Sequence, residues 1–269
     1  MRPRIAIPIP HSEAEYARRA LVQYEDAIRG AGGDPVVILL DWSNQKIAQA
    51  AKSCDAVLLP GSKADIDPEK YDAKRDPHTA AADPARDNVD ELLLQDAYNM
   101  RKPILGICYG LQALNVWRSG TLRQHLETGV NHSAGREVPR AHSVEIEHGT
   151  QLAGIVAPVR EFASLMADTP RCSPEISLAV NSSHHQAAEV VGDGLRVAAL
   201  SEKDNVIEAL EGTDPDHFVV AVQWHPERSV SDDEPSRAIF QTFVQAAQHR
   251  HDQPRTAAPD FESLSKSRG

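Results

Sequence analysis

The chain is poor in the features that mark a disulfide scaffold, a membrane span or a nucleic-acid partner. It has three cysteines in 269 residues, Cys54, Cys108 and Cys172. So few, in an odd number, argue against a disulfide framework and for a reducing, cytoplasmic setting. No apolar stretch approaches the ~18 residues of a membrane-spanning helix. No Lys/Arg cluster occurs and the net charge is −11, so no nucleic-acid footprint is expected. The basic start, Met1-Arg2-Pro3-Arg4, leads into an apolar run too short for a signal peptide. No internal repeat is visible. Twelve histidines are present, but they lack the paired spacing of a zinc site. His184 and His185 are adjacent, and neighbours on an extended segment point apart. Neither a metal nor a cofactor is expected.

What is present is an alternation of strand and helix. Strands are predicted at Ile5–Ile9, Val36–Leu40, Ala56–Leu59 and Pro103–Ile107. Helices are predicted at Ala14–Arg29, Asn44–Lys52 and Asp87–Met100. Continuous apolar strands between helices indicate a parallel sheet covered on both faces. The second half is richer in strands, predicted at Ser143–Ile146, Glu175–Val180, Leu195–Ser201, Val206–Glu211 and Phe218–Gln223. Ser236–Gln248 is a closing helix. The expected fold is α/β, with three layers around a mostly parallel, flavodoxin-like sheet and an added β-rich portion. Residues 1–248 form one domain, and the polar tail 249–269 is expected to be mobile.

The most informative stretch is Gly106-Ile107-Cys108-Tyr109-Gly110. An apolar run precedes it and a helical pattern (Leu111, Leu114, Val116, Trp117) follows. A cysteine therefore sits at the apex of a strand–turn–helix, the nucleophile-elbow arrangement. Such a turn brings its flanking residues together, and glycine at both places avoids a Cβ clash. The helix N-terminus is expected to favour the thiolate. Cys54 and Cys172 lack this context and read as structural.

A second signal is Val219-Val220-Ala221-Val222-Gln223-Trp224-His225-Pro226-Glu227. A buried strand delivers His225 to its C-terminal end. Glu227, two residues on, faces the same way on extended backbone. A carboxylate beside an imidazole fixes its tautomer and stabilises its cation. Cys108, His225 and Glu227 thus supply a nucleophile, a base and an orienting acid.

The two motifs together resemble the class I glutamine amidotransferase superfamily. Three more stretches resemble one branch of it, the γ-glutamyl-γ-aminobutyrate hydrolases and related γ-glutamyl hydrolases. They are Leu59-Pro60-Gly61-Ser62 with Asp67-Pro68 and Tyr71, then Asp83-Pro84-Ala85-Arg86-Asp87, and Val180-Asn181-Ser182-Ser183-His184-His185-Gln186. The resemblance spans roughly Ile5 to Val244. It departs at one position: the branch commonly has arginine directly after the nucleophile, where this chain has Tyr109. The side chain facing the substrate pocket is expected to differ accordingly.

The resemblance implies hydrolysis of a γ-glutamyl amide through a thioester on Cys108. It assigns the oxyanion donors to the backbone N–H groups of Gly61 and Tyr109, and substrate contacts to Gln112, Ser183 and His184. His125, His132 and His142 fall in the variable stretch after the elbow helix and receive no role. The expected partner is a small γ-glutamyl compound, with no nucleic acid, no membrane and at most a second copy of the chain as a homodimer. Two other readings stay open. One is a glutaminase subunit that supplies ammonia to a separate synthetase, and the other is a catalytically silent binding protein on the same scaffold.

Overall fold

The computed structural model describes residues 1–157 and 176–252. The chain opens with β1 (Arg4–Pro8), α1 (Ala14–Gly30), β2 (Asp34–Ile38), α2 (Asn44–Lys52), β3 (Ala56–Leu59), α3 (Pro84–Asn99), β4 (Ile104–Ile107) and α4 (Tyr109–Trp117). It continues with β5 (Leu122–Arg123), β6 (His142–Ile146) and a helix α5 over 151–157. The last elements are β7 (Ile176–Val180), β8 (Ala187–Ala188), β9 (Leu195–Ser201), β10 (Ile207–Gly212), β11 (Val219–Val222) and α6 (Glu234–Asp252).

One sheet of nine strands runs in the order β2-β1-β3-β4-β11-β10-β9-β6-β7. From β2 to β11 the neighbours are parallel, and from β11 to β7 they are antiparallel. The antiparallel wing is the β-rich portion expected from the sequence. A two-stranded ribbon, β5 with β8, stands apart. It gives no pattern in the sequence, because two residues cannot display a period.

The three layers follow from strand alternation. Ile5 and Ile7 of β1, Leu58 of β3 and Val220 and Val222 of β11 pack with Tyr24 and Ile28 of α1 and with Ile239, Phe240 and Phe243 of α6. Their neighbours Ala6, Val57, Leu59, Val219 and Ala221 face the other way, onto Ile47 of α2, Val89, Leu93 and Leu94 of α3 and Leu111 and Leu114 of α4. Successive side chains of a strand point to opposite faces. A strand covered on both faces must therefore be apolar throughout, as these are.

Helix starts obey local chemistry. Ser43 Oγ accepts the amide of Lys46 at the start of α2. Asp83 accepts the amide of Arg86 at the start of α3, with Pro84 in the first turn. A side-chain oxygen at this position satisfies an orphan helical N–H, and proline there sacrifices none. Helix α3 thus begins earlier than the predicted Asp87. Helix α6 continues to Asp252, past the predicted Gln248, so four residues assigned to the tail are helical. The rest of the tail and Cys172 lie outside the described residues. Among the described residues, no helix is long and apolar enough to cross a membrane.

Candidate active site

Cys108 connects β4 to α4 with φ 53° and ψ −105°. A non-glycine residue at positive φ stores strain, and such strain collects at functional sites. The flanking glycines allow the turn. A Cβ on Gly106 would lie 3.0 Å from the carbonyl carbon and oxygen of Gly110, and one on Gly110 would lie 2.1 Å from the carbonyl oxygen of Leu59. The amide of Cys108 donates to the carbonyl of Val222 on β11 (2.8 Å). This anchors the elbow to the strand that delivers His225.

Beyond β11 the chain enters a short 3-10 turn, Pro226–Arg228. It brings Glu227 Oε1 to 2.8 Å from His225 Nδ1. Asn181, just after β7, clamps the histidine backbone on both sides: its Nδ2 donates to the His225 carbonyl (2.8 Å) and its Oδ1 accepts the His225 amide (3.0 Å). Cys108, His225 and Glu227 are each at most 5% exposed. Gly61, after β3, lies between Cys108 and His225. A Cβ there would meet His225 Cε1 at 2.9 Å, Tyr24 Oη at 3.0 Å and Cys108 Cβ at 3.6 Å.

Burial sets the protonation of this group. It pushes the Cys108 thiol up to about 12, against the pull of Arg228 and the Tyr109 amide. Burial also lowers the His225 imidazole, more than Glu227 raises it. Burial would raise the Glu227 carboxyl, but the His225 imidazole beside it holds it below its ordinary value. Burial thus favours a thiol and a neutral imidazole at rest. This burial opposes the thiolate that the helix N-terminus was expected to favour.

The other predicted residues separate. Tyr109 is 1% exposed and does not face an open pocket as expected. Its ring packs with Ala64, Ile66, Val116 and Leu122, its hydroxyl donates to Asp87, and the Arg86 guanidinium lies 4.9 Å from its ring centre. The Gly61 amide donates to Tyr24 Oη (3.0 Å), so the expected oxyanion donor is occupied here. Gln112 is buried and donates to the Gln186 carbonyl (3.0 Å) and Gln223 Oε1 (3.2 Å). Ser183 Oγ accepts from Arg228 Nη1 (2.7 Å). His184 faces Glu208, while its neighbour His185 reaches Asp65. The two histidines do point apart, as expected for an extended segment.

Sequence reasoning passed over Tyr24, Arg228 and the function of Arg86. Arg86 is fully buried and donates to Asp90 (2.7 Å), to the Pro10 carbonyl (2.9 Å) and to the Pro60 carbonyl (2.8 Å). It ties the loops after β1 and β3 together and so positions Gly61. An arginine inside a helix-start motif, Asp83-Pro84-Ala85-Arg86, was the available signal.

Fold and sequence relationship together make this a glutamine amidotransferase-like hydrolase. The model of the Peptidase C26 family matches residues 8–227, and the chain belongs to that family. It is 34% identical over 231 residues to the γ-glutamyl-γ-aminobutyrate hydrolase of Escherichia coli, an alignment covering 84% of this chain and 85% of that protein. It is 31% identical over 227 residues to protein NtpR of Enterococcus hirae, covering 82% and 87%. Among solved structures it resembles the glutaminase domain of Trypanosoma brucei CTPS with bound acivicin. The TM-score there is 0.55 at 15% identity, with 96% of this chain and 98% of that one covered. That likeness concerns the fold.

Proposed function

We propose that the protein is a cysteine hydrolase that cleaves the γ-glutamyl amide bond of a small γ-glutamyl compound resembling γ-glutamyl-γ-aminobutyrate. The observation that carries this is the strained Cys108, set beside the His225–Glu227 pair across Gly61. The identity to an E. coli enzyme of that name supports the substrate class.

Burial favours the protonated thiol, so the proton leaves as the sulfur attacks. His225 takes that proton on Nε2, since Nδ1 faces Glu227. A C–S bond forms to the amide carbon and negative charge moves to the carbonyl oxygen. His225 then donates the proton to the nitrogen, the C–N bond breaks and a free amine leaves. Water, losing its proton to His225, attacks the thioester and releases glutamate, and the thiol is restored. Glu227 keeps the imidazole oriented and stabilises its cation. The Tyr109 N–H, at the first position of α4, is one donor for the oxyanion. Gly61 N–H is the second once the carbonyl oxygen displaces the Tyr24 hydroxyl. One such donor is worth a factor of about 10²–10³ in rate.

The test is glutamate release from a panel in which only the amine varies, with glutamine included. Turnover of γ-glutamyl-γ-aminobutyrate well above glutamine supports the proposal. Activity on glutamine alone, and only with a partner protein, would overturn it in favour of a glutaminase subunit.

A further inference from the structure

Four side chains from four separate segments meet in a buried cluster on the antiparallel side of the sheet. They are His132 from the loop after β5, His142 at the start of β6, His184 after β7 and Glu208 on β10. One ligand atom from each lies within 4.8 Å of all the others. Glu208 Oε1 stands 3.1 Å from His132 Nδ1, 3.3 Å from His142 Nε2 and 3.5 Å from His184 Nε2. These three nitrogens and both Glu208 oxygens are buried without a hydrogen-bond partner.

The opposite ring nitrogens explain why. His132 Nε2 is 2.9 Å from Asp204 Oδ2, His184 Nδ1 is 2.9 Å from the Gln186 carbonyl, and His142 Nδ1 is 3.4 Å from the Ser143 carbonyl. Carboxylates and carbonyls only accept, so each outer nitrogen carries the hydrogen. A neutral imidazole has only one. In their neutral forms the three rings therefore present their inner lone pairs to a carboxylate. Protonating all three rings would crowd cations whose ring centres are 4.7 Å (His132 and His142) and 4.9 Å (His132 and His184) apart. The inner nitrogens approach the oxygen closely, yet none makes a hydrogen bond to it. Three imidazole nitrogens and a carboxylate oxygen thus converge within 4.8 Å of one another.

We propose that His132 Nδ1, His142 Nε2, His184 Nε2 and a Glu208 carboxylate oxygen bind a zinc ion. Imidazole nitrogens with one carboxylate suit Zn²⁺ among the common divalent ions. A tetrahedron with ligand bonds of 2.0–2.1 Å has edges of about 3.3–3.4 Å, close to the three separations from Glu208 Oε1. The outer contact of His132 with Asp204 is the carboxylate–histidine–metal arrangement that fixes a ligand tautomer. With four protein ligands the site is closed, so its role is structural. The zinc joins the 131–135 loop, β6, β10 and the segment 181–186. That segment also carries Asn181 against His225 and Ser183 against Arg228. The zinc thereby holds in place the wall beside His225.

The experiment uses tag-free, full-length protein. Bound zinc is counted by mass spectrometry on the protein as purified, then on protein stripped with EDTA and titrated with Zn²⁺ or Co²⁺. The expected result is about one zinc per chain and, with Co²⁺, visible bands of a tetrahedral nitrogen–oxygen site. Asp204→Asn weakens zinc binding by about 10–100-fold, His142→Ala and Glu208→Gln abolish it, and Cys108→Ala leaves it intact. If the ligand variants do not fold, the Co²⁺ spectrum of the unmutated protein decides. No saturable binding by the stripped protein overturns the proposal. So does a sulfur–cobalt charge-transfer band, or loss of zinc in Cys108→Ala, either of which places the metal on a cysteine.

Discussion

The Arg86 guanidinium, fully buried, donates to the carbonyl of Pro60 at 2.8 Å. The next residue is Gly61, whose missing Cβ leaves room for His225 and Tyr24. A helix-borne cation therefore sets the backbone on which the proposed oxyanion donor sits. Arg86→Met leaves the Pro10 and Pro60 carbonyls and the Asp90 carboxylate without their partner. Removing one partner of a buried ion pair costs about 3–5 kcal/mol. Urea denaturation is expected to show that loss, together with a fall in glutamate release.

Gly110→Ala forces a Cβ to 2.1 Å from the carbonyl oxygen of Leu59, an atom of β3 backbone that has nowhere to go. The expected outcome is misfolded or inactive protein. Gly30→Ala, at the end of α1 with nothing within 4 Å of the new atom, is the control. It is expected to be neutral or to raise stability by up to about 1 kcal/mol. Thermal melts of the two variants check the contrast.

Alkylation of Cys108 by iodoacetamide is expected to accelerate steadily with pH and to show no plateau near neutrality. Burial raises this thiol from an ordinary 9.0 to about 12. The folded state thus holds the proton more tightly than the unfolded one. The stability this contributes is complete below about pH 9 and is lost as pH rises towards 12. A labelling rate that levels off below pH 8 would show a preformed thiolate–imidazolium pair instead.

The acid limb of kcat/KM is expected below pH 6.5. Burial lowers the His225 imidazole from that ordinary value, more than Glu227 raises it. The base therefore stays neutral and competent until the solution is more acidic than a free imidazole would require. The kcat/KM profile for the best γ-glutamyl substrate reads this directly.

Glu227→Gln keeps the shape of the acid and removes its charge. The analogous change elsewhere lowers kcat by about 10⁴, and a fall of ~10²–10⁴ with little change in KM is expected here. Cys108→Ala is expected to abolish both turnover and the glutamyl adduct seen by mass spectrometry of the quenched reaction.

Much of this molecule is legible in its sequence because the relevant signals are local. Leu58 and Leu59, or Val219 to Val222, announce a strand buried on two faces. Gly106 and Gly110 announce a turn whose flanks touch, and His225 with Glu227 needs only the alternation of an extended chain. Other features have no local signal. The hydroxyl of Tyr24 on Gly61 and the inward turn of Tyr109 depend on how α1 and α3 pack against the sheet. The histidines meet only when β6, β7 and β10 lie in one sheet, so no spacing in the sequence could display them.

The sequence by itself determined the layered α/β architecture and the tight turn at Cys108, since periodicity and turn sterics act over a few residues. Only the tertiary structure decided the burial of Cys108, because desolvation depends on everything packed around the sulfur. It alone also decided that His132, His142 and His184 surround one carboxylate. Those side chains are distant along the chain, and the antiparallel wing of the sheet brings them together.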